Sequence, residues 1–258
     1  MASQKLITAA ILVMALTGVA LLPPRPSLDI VFIGDSITHG SRLDSPEVQA
    51  PPVWAAAFLK RQKRIGEVAW SNQGVSGYTT VDFLPSTGKA FPHVMDAARA
   101  FYARHDATLV FSVMLGTNDS ADNGPNGSPV LPAAYRANLK TIADSLLNAF
   151  PGCLIVFNRP TWYSPTAYNG ARYLQSGLDR LQSYFPEIDA LVKEYAASRP
   201  GQVFAGDHKA FGYFRKHYGT DLGAEQGHAG TFYLHPNLQG AKALGEFWGE
   251  AIERVVEK

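Results

Sequence analysis

Residues 28–38 read Leu-Asp-Ile-Val-Phe-Ile-Gly-Asp-Ser-Ile-Thr, and this stretch decides the fold. β-Branched and aromatic residues dominate its first half, which predicts a buried strand that stops at Gly34. Glycine allows a tight turn at the end of a strand, so Ser36 can present its hydroxyl group to solvent. The stretch therefore predicts the first strand of a sheet together with a candidate nucleophile.

Comparable apolar runs recur along the chain and alternate with segments of helical periodicity. This alternation predicts parallel strands joined by right-handed crossovers. We therefore expect an α/β fold, a three-layer α/β/α sandwich whose five-stranded parallel sheet has a flavodoxin-like order. The further strands are predicted at 68–71, 109–115, 154–157 and 202–205, and the helices at 53–60, 94–103, 133–150, 177–197 and from Pro236 onward.

The first 26 residues resemble a targeting segment rather than part of the fold. Lys5 precedes an apolar run over 6–22, and a proline-rich segment follows it. This pattern predicts a signal peptide, and an uncleaved N-terminal anchor is the alternative because the run approaches the length of a membrane span. Both hypotheses place a single domain, residues 27–258, outside the cytoplasm, either in the periplasm or secreted.

The composition of the chain excludes several classes of function. Of 258 residues, 46% are apolar and 17% are charged, which indicates an ordinary globular domain. The net charge of +1 provides no field to attract nucleic acid or, apart from the possible anchor, a membrane. Cys153 is the single cysteine, so no intrachain disulfide can form. Because the histidines lack metal-ligand spacing with cysteine or carboxylate residues, we expect no metal and no cofactor.

Four polar motifs stand after predicted strands or before the last predicted helix. They are Gly-Asp-Ser-Ile-Thr at 34–38, Asn-Gln-Gly-Val-Ser-Gly-Tyr-Thr at 72–79, Gly-Thr-Asn-Asp at 116–119 and His-Pro-Asn at 235–237. In this order they resemble the blocks of the SGNH (GDSL-type) hydrolase family. The resemblance extends from about residue 30 to about residue 240, nearly the whole predicted domain.

The resemblance implies the role of each site residue. Ser36 would attack an ester carbonyl, and His235 would accept its proton and return it to the leaving alcohol. The backbone N–H groups of Ser36 and Gly77 and the side-chain amide of Asn118 would form the oxyanion hole. Water would then release the acid from the acyl-enzyme.

One position departs from the family pattern. The family places an aspartate three residues before the histidine, and here that position is Phe232. His235 could be oriented by a backbone carbonyl, which would leave a Ser–His dyad. Alternatively, an acid from elsewhere could fold back onto it, with Asp207, Asp221 and Glu225 as candidates. The carbonyl hypothesis is favoured because nothing in the sequence singles out one acid.

The resemblance implies a carboxylic ester hydrolase that acts on a small-molecule or glycan ester. Predicted export and an aromatic cluster (Trp162, Tyr163, Tyr168 and Tyr173) favour short acyl groups, such as acetyl, on carbohydrate. These rings could stack on sugars or pack into the core. Three alternatives stay open: a lipase, lysophospholipase or thioesterase for longer acyl chains; an acyltransferase with an alcohol acceptor; and a non-catalytic carbohydrate-binding relic.

Overall fold

The computed structural model describes residues 25–104 and 106–257. The predicted signal peptide or anchor lies outside the described residues except for Arg25 and Pro26. Its cleavage and its role as an anchor therefore stay predictions. Within the described ranges, no helix has both the length and the apolar character needed to cross a bilayer.

The core of the molecule is a sheet of five parallel strands. All seven residues of the first strand are buried, because helices cover both faces of the sheet. The order β2-β1-β3-β4-β5 is flavodoxin-like, which confirms the prediction. The strands are β1 (Leu28–Gly34), β2 (Val68–Gly74), β3 (Thr108–Met114), β4 (Leu154–Phe157) and β5 (Val203–Ala205).

The helices form the two outer layers of the predicted sandwich. They are α1 (Ser36–His39), α2 (Pro46–Gln49), α3 (Pro51–Lys60), α4 (Phe91–Tyr102), α5 (Pro132–Ala149), α6 (Leu174–Ser198), α7 (Ala210–Asp221) and α8 (Leu238–Val256). Helices α3 and α8 cover one face, where Trp248 stacks on Phe32 with ring centroids 5.8 Å apart. Helices α4, α5 and α6 cover the other face, where Phe150 packs against Phe111 of β3 at 5.8 Å. A sheet of this strand order has helices on both faces when its crossovers are right-handed.

The segment between β5 and the last helix differs from the prediction. An unpredicted helix, α7, leads into an unpredicted antiparallel hairpin of β6 (Leu222–Gly227) and β7 (Gly230–Pro236). The prediction that the last helix begins at Pro236 is wrong, because Pro236 ends β7. Helix α8 begins at Leu238, and the Asn237 side chain caps it by accepting a hydrogen bond from the Gly240 N–H at 3.1 Å.

Two glycines allow α8 to lie against α3. A Cβ atom on Gly245 would stand 2.5 Å from the Trp54 Cβ atom and closer still to the Pro51 carbonyl oxygen. One turn later, a Cβ atom on Gly249 would meet the Phe58 ring at 2.6 Å. Because real Cβ atoms do not approach other atoms so closely, these glycines set the distance between the two helices.

We expect Gly245→Ala to destabilise the protein although alanine is the better helix former. Overpacking costs about 1–3 kcal/mol and outweighs the gain in helix propensity of roughly 1 kcal/mol. The matched control is Gly212→Ala in α7, where a Cβ atom meets nothing within 4 Å. Urea unfolding of both variants makes the comparison. A Gly245→Ala protein as stable as the Gly212→Ala protein would contradict the packing account.

Candidate active site

Ser36 lies where β1, an inner strand of the sheet, turns into α1. The preceding residue, Asp35, caps this helix, because its Oδ1 accepts a hydrogen bond from the Ile37 N–H at 2.9 Å. Ser36 is the first helical residue, so the helix itself provides no acceptor for its N–H group. The serine side chain opens into a cavity of about 470 Å3 at the carboxyl end of the sheet.

The structure brings His235 to Ser36 from the other end of the chain. His235 lies on β7, and its Nε2 accepts a hydrogen bond from the Ser36 hydroxyl at 2.9 Å. Its Nδ1–H donates to Glu225 Oε1, on the facing strand β6, at 2.7 Å. The carboxylate fixes the tautomer in which Nε2 is free to accept a proton. Glu225, His235 and Ser36 therefore form a continuous hydrogen-bonded chain.

The favoured expectation that a backbone carbonyl orients His235 is wrong, because Glu225 does so. The other two candidate acids have other partners. Asp207 accepts hydrogen bonds from the N–H groups of Lys209 and Ala210 at the start of α7. Asp221 accepts a hydrogen bond from the Tyr213 hydroxyl at 2.7 Å.

The register of the hairpin explains how Glu225 replaces the usual aspartate. Phe232 occupies the position three residues before His235 and is buried in the core. In the antiparallel register, the residue directly opposite Phe232 is Glu225. The carboxylate thus comes from the facing strand at the same level of the hairpin. A sequence signal existed in Gly227 and Gly230, which flank a two-residue loop typical of hairpins.

Glu225 is held in its ionised form although it is buried. Burial by itself raises the pKa of a carboxyl group. Here the hydrogen bond from His235 and the positive charges of His235 and Arg42 outweigh that effect, and the pKa of Glu225 lies below its ordinary value. The Arg42 Nε–H donates to the second carboxylate oxygen, Oε2, at 3.1 Å.

The predicted oxyanion donors line the same cavity as Ser36 and His235. Gly77 has a φ of +80°, a left-handed conformation that favours glycine. The Asn118 side chain is fixed from both ends. Its Nδ2 donates to the Tyr78 carbonyl oxygen at 2.9 Å, and its Oδ1 accepts from the Tyr173 hydroxyl at 2.7 Å. This leaves the second amide hydrogen of Asn118 available for an oxyanion.

The aromatic cluster belongs mainly to the core. Trp162, Tyr163 and Tyr173 are buried, and Tyr168 is half-buried against His228. Tyr173 alone of the four lines the cavity, where its hydroxyl orients Asn118. Sequence analysis did not predict this contact, because 55 residues separate the partners and no motif joins them.

A buried carboxylate connects the loops that carry Gly77 and Asn118. Asp119 accepts hydrogen bonds from the Thr80 N–H, at 3.0 and 3.1 Å, and from the Thr80 hydroxyl. Burial raises the pKa of Asp119 to about 7 and, beneath the nucleophile, that of Asp35 to about 6. Asp35 thus holds the backbone that follows Ser36, and Asp119 holds the backbone of the loop at Thr80.

The remaining cavity wall combines hydroxyl and amide groups with aliphatic side chains, and among the described residues no Asp, Glu, Lys or Arg side chain lines it. Ser41 and Ser76 are hydrogen-bonded to each other with oxygens 2.6 Å apart, and Asn123 and Asn169 also line the cavity. Leu234, Ala171 and Pro125 supply the aliphatic lining. Within the described residues, no group of three or more His, Cys, Asp or Glu side chains is placed to hold a metal ion.

A parallel sheet with a Ser–His–Glu chain and amide donors at its carboxyl edge defines the class of serine hydrolases with an SGNH-type fold. The model of the GDSL-like lipase/acylhydrolase family matches residues 32–243. The chain belongs to this family, whose members are carboxylic ester hydrolases. No curated protein sequence matches the chain.

Three solved structures that are similar to this fold are esterases of low sequence identity to the chain. A carbohydrate acetylesterase from Sinorhizobium meliloti is 17% identical, with a TM-score of 0.58 over 88% of this chain and 99% of the other. An aryl esterase from M. smegmatis is 14% identical, with a TM-score of 0.58 and the same coverages. An acetylxylan esterase from Geobacillus stearothermophilus is 18% identical, with a TM-score of 0.56 over 89% and 94%. At these sequence identities, the similarity to the three esterases shows a shared fold alone.

We expect Asp119 to make stability depend on pH. Because its folded-state pKa is raised from 3.8 to about 7, its contribution is complete below about pH 3.8 and is lost as the pH rises through about 7. Between about pH 4 and pH 7.5, the free energy of unfolding of the wild type should therefore fall relative to that of Asp119→Asn, by roughly 2–4 kcal/mol.

Urea unfolding at the two pH values measures this difference. The control is Asp96→Asn, because Asp96 is exposed on α4. If the difference between the wild type and Asp119→Asn is the same at both pH values, Asp119 is ionised throughout and the account of its burial fails.

Proposed function

We propose that this protein is a serine esterase that removes short acyl groups, acetyl above all, from carbohydrate esters through an acyl-enzyme. One observation carries the proposal: Glu225, His235 and Ser36 are joined by hydrogen bonds of 2.7 and 2.9 Å at the wall of a cavity that hydroxyl and amide groups line. Nucleophile, base and orienting acid are the three parts that acyl transfer requires.

In the first half of the reaction, Ser36 Oγ attacks the ester carbonyl while His235 Nε2 takes the hydroxyl proton. Glu225 keeps the imidazole ring in position and stabilises the imidazolium that forms. Negative charge develops on the carbonyl oxygen, where the N–H groups of Ser36 and Gly77 and the amide of Asn118 donate hydrogen bonds. Because Tyr78 and Tyr173 already hold Asn118, little reorganisation is needed at this step.

His235 then protonates the leaving alcohol, and the acyl group stays on Ser36. In the second half, His235 takes a proton from the water that attacks the acyl-enzyme, and it returns this proton to Ser36 Oγ as the bond to the acyl group breaks and the acid leaves. The histidine therefore alternates between base and acid, and Glu225 accepts its Nδ1–H hydrogen bond throughout.

The cavity lining suits an ester between a small acyl group and a hydroxyl-rich alcohol. The hydroxyl groups of Ser41 and Ser76 and the amides of Asn123 and Asn169 can exchange hydrogen bonds with sugar hydroxyls. A long acyl chain needs a continuous apolar surface, whereas Leu234 is the one large aliphatic residue of the lining. Similar folds in a carbohydrate acetylesterase and an acetylxylan esterase agree with this choice.

Export, predicted from residues 1–26, would bring the enzyme together with glycans outside the cytoplasm. Fractionation of cells that express the full chain tests this part of the proposal. Recovery of the protein from the cytoplasm alone, with its first residues intact, would contradict it.

Hydrolysis of p-nitrophenyl acetate, butyrate and octanoate by the purified protein tests the reaction and the acyl length. We expect kcat/KM to be highest for acetate and to fall with chain length. Ser36→Ala should lose on the order of 10⁴-fold or more, because both the nucleophile and the partner of the base disappear. The release of acetate from acetylated xylo-oligosaccharides, measured in parallel, tests whether the substrate is a carbohydrate ester.

The matched control is Ser145→Ala on α5, where the hydroxyl bonds only to the Thr141 carbonyl oxygen of its own helix. This variant should keep wild-type rates. Activity that rises towards octanoate would favour a lipolytic enzyme instead. Equal turnover by the wild type and Ser36→Ala on every ester would remove Ser36 from the mechanism.

A further inference from the structure

We infer that Arg42 is a positioning residue, which holds the Glu225 carboxylate ionised and aimed at His235. This inference rests on the proposed function. The two oxygens of Glu225 are divided between two partners, with Oε1 accepting from His235 Nδ1 at 2.7 Å and Oε2 accepting from Arg42 Nε at 3.1 Å. With both oxygens engaged, the carboxylate cannot rotate without breaking a hydrogen bond.

The backbone at Arg42 adopts a conformation that L-amino acids seldom occupy. Its φ is +74°, and Leu174 is the only other non-glycine residue with a positive φ in the described part of the chain. The turn is closed by a hydrogen bond from the Leu43 N–H to the Gly40 carbonyl oxygen at 3.2 Å, with Arg42 at its third position. Glycine or asparagine is the usual residue at a turn position with positive φ.

An arginine at a position that suits glycine points to a need for its side chain. Strained residues of this kind cluster at functional sites, where the surrounding structure holds them. The turn is connected to the backbone of the nucleophile, because the Gly40 and Ser41 N–H groups both donate to the Ser36 carbonyl oxygen, at 3.0 and 2.9 Å. The turn that follows Ser36 thus places the Arg42 guanidinium beside Glu225, the acid that orients His235.

The charges around Glu225 also favour a positioning role for Arg42. The Glu225 side chain is 7% exposed, and burial alone favours its neutral form. Two groups place positive charge near the Glu225 carboxylate: Arg42, and His235 on β7 when it is protonated. The Tyr173 hydroxyl, at the start of α6, also interacts with the charge of Glu225. His235 must be neutral to accept a proton. In that state Arg42 is the cation that keeps Glu225 ionised.

Substitutions at Arg42 test the inference by kinetics with p-nitrophenyl acetate. Arg42→Gln and Arg42→Gly should lower kcat about 5- to 30-fold with little change in KM, because a charge-assisted but partly exposed contact is lost. The acidic limb of the pH profile of kcat/KM should move to higher pH in both variants, since the hydrogen-bonded pair of Glu225 and His235 takes up a proton more readily once the neighbouring cation is removed. Arg42→Lys should recover part of both effects.

Two further measurements separate positioning from a merely structural role. Arg42→Gly relieves the left-handed backbone, so its melting temperature should equal or exceed that of the wild type while its activity falls. The Arg42 side chain is 66% exposed, and salt weakens exposed ion pairs. Concentrated salt should therefore move the acidic limb of the wild type, but not that of Arg42→Gln, to higher pH.

The matched control is Arg99→Gln, since Arg99 is 64% exposed and pairs with Asp96 at the same 3.1 Å. It should keep the wild-type rate and pH profile. The inference is overturned if Arg42→Gln and Arg42→Gly keep the wild-type kcat and acidic limb, or if their activity falls only in parallel with melting temperature. A wild-type protein without esterase activity would instead refute the proposed function.

Discussion

The hydrogen bond between the Ser36 hydroxyl and His235 Nε2, 2.9 Å long, joins residues that are 199 positions apart in the sequence. Ser36 stands at the end of the inner strand β1, and His235 stands on the hairpin that precedes the last helix. Their contact requires α8 to pack back on β1 and α3, because α8 follows the hairpin directly. Trp248 on Phe32 and the glycines of α8 against α3 provide that packing. The geometry of the site thus depends on the core beneath it.

The acid of this site shows that a catalytic role is defined by position in space rather than by position in a motif. Phe232 occupies the place where the family has its aspartate and contributes to the core instead. Glu225, its cross-strand neighbour, reaches His235 with a longer side chain from the facing strand. Arg42 approaches the same carboxylate from the loop after the nucleophile, so two segments besides its own strand define the orientation of His235.

The sequence was informative wherever burial dictated residue type. The strands of the parallel sheet are covered on both faces, so residues 28–33 and 109–115 appear as apolar runs that predict the sheet and its order. The hairpin was missed because β6, Leu-Gly-Ala-Glu-Gln-Gly, has neither β-branched residues nor a clear alternation. Glu225 could not be assigned without that hairpin. Tyr173 could not be linked to Asn118 because their contact exists only in the folded chain.

The most direct test of the account is the rate of p-nitrophenyl acetate hydrolysis by Glu225→Gln. Glutamine keeps the size of the side chain but removes the charge that holds the Nδ1–H tautomer and stabilises the imidazolium. We expect kcat to fall by roughly 10²–10⁴-fold, with KM and melting temperature close to those of the wild type. A Glu225→Gln protein that hydrolyses the ester at the wild-type rate would contradict the account, since His235 would then act without the acid of the facing strand.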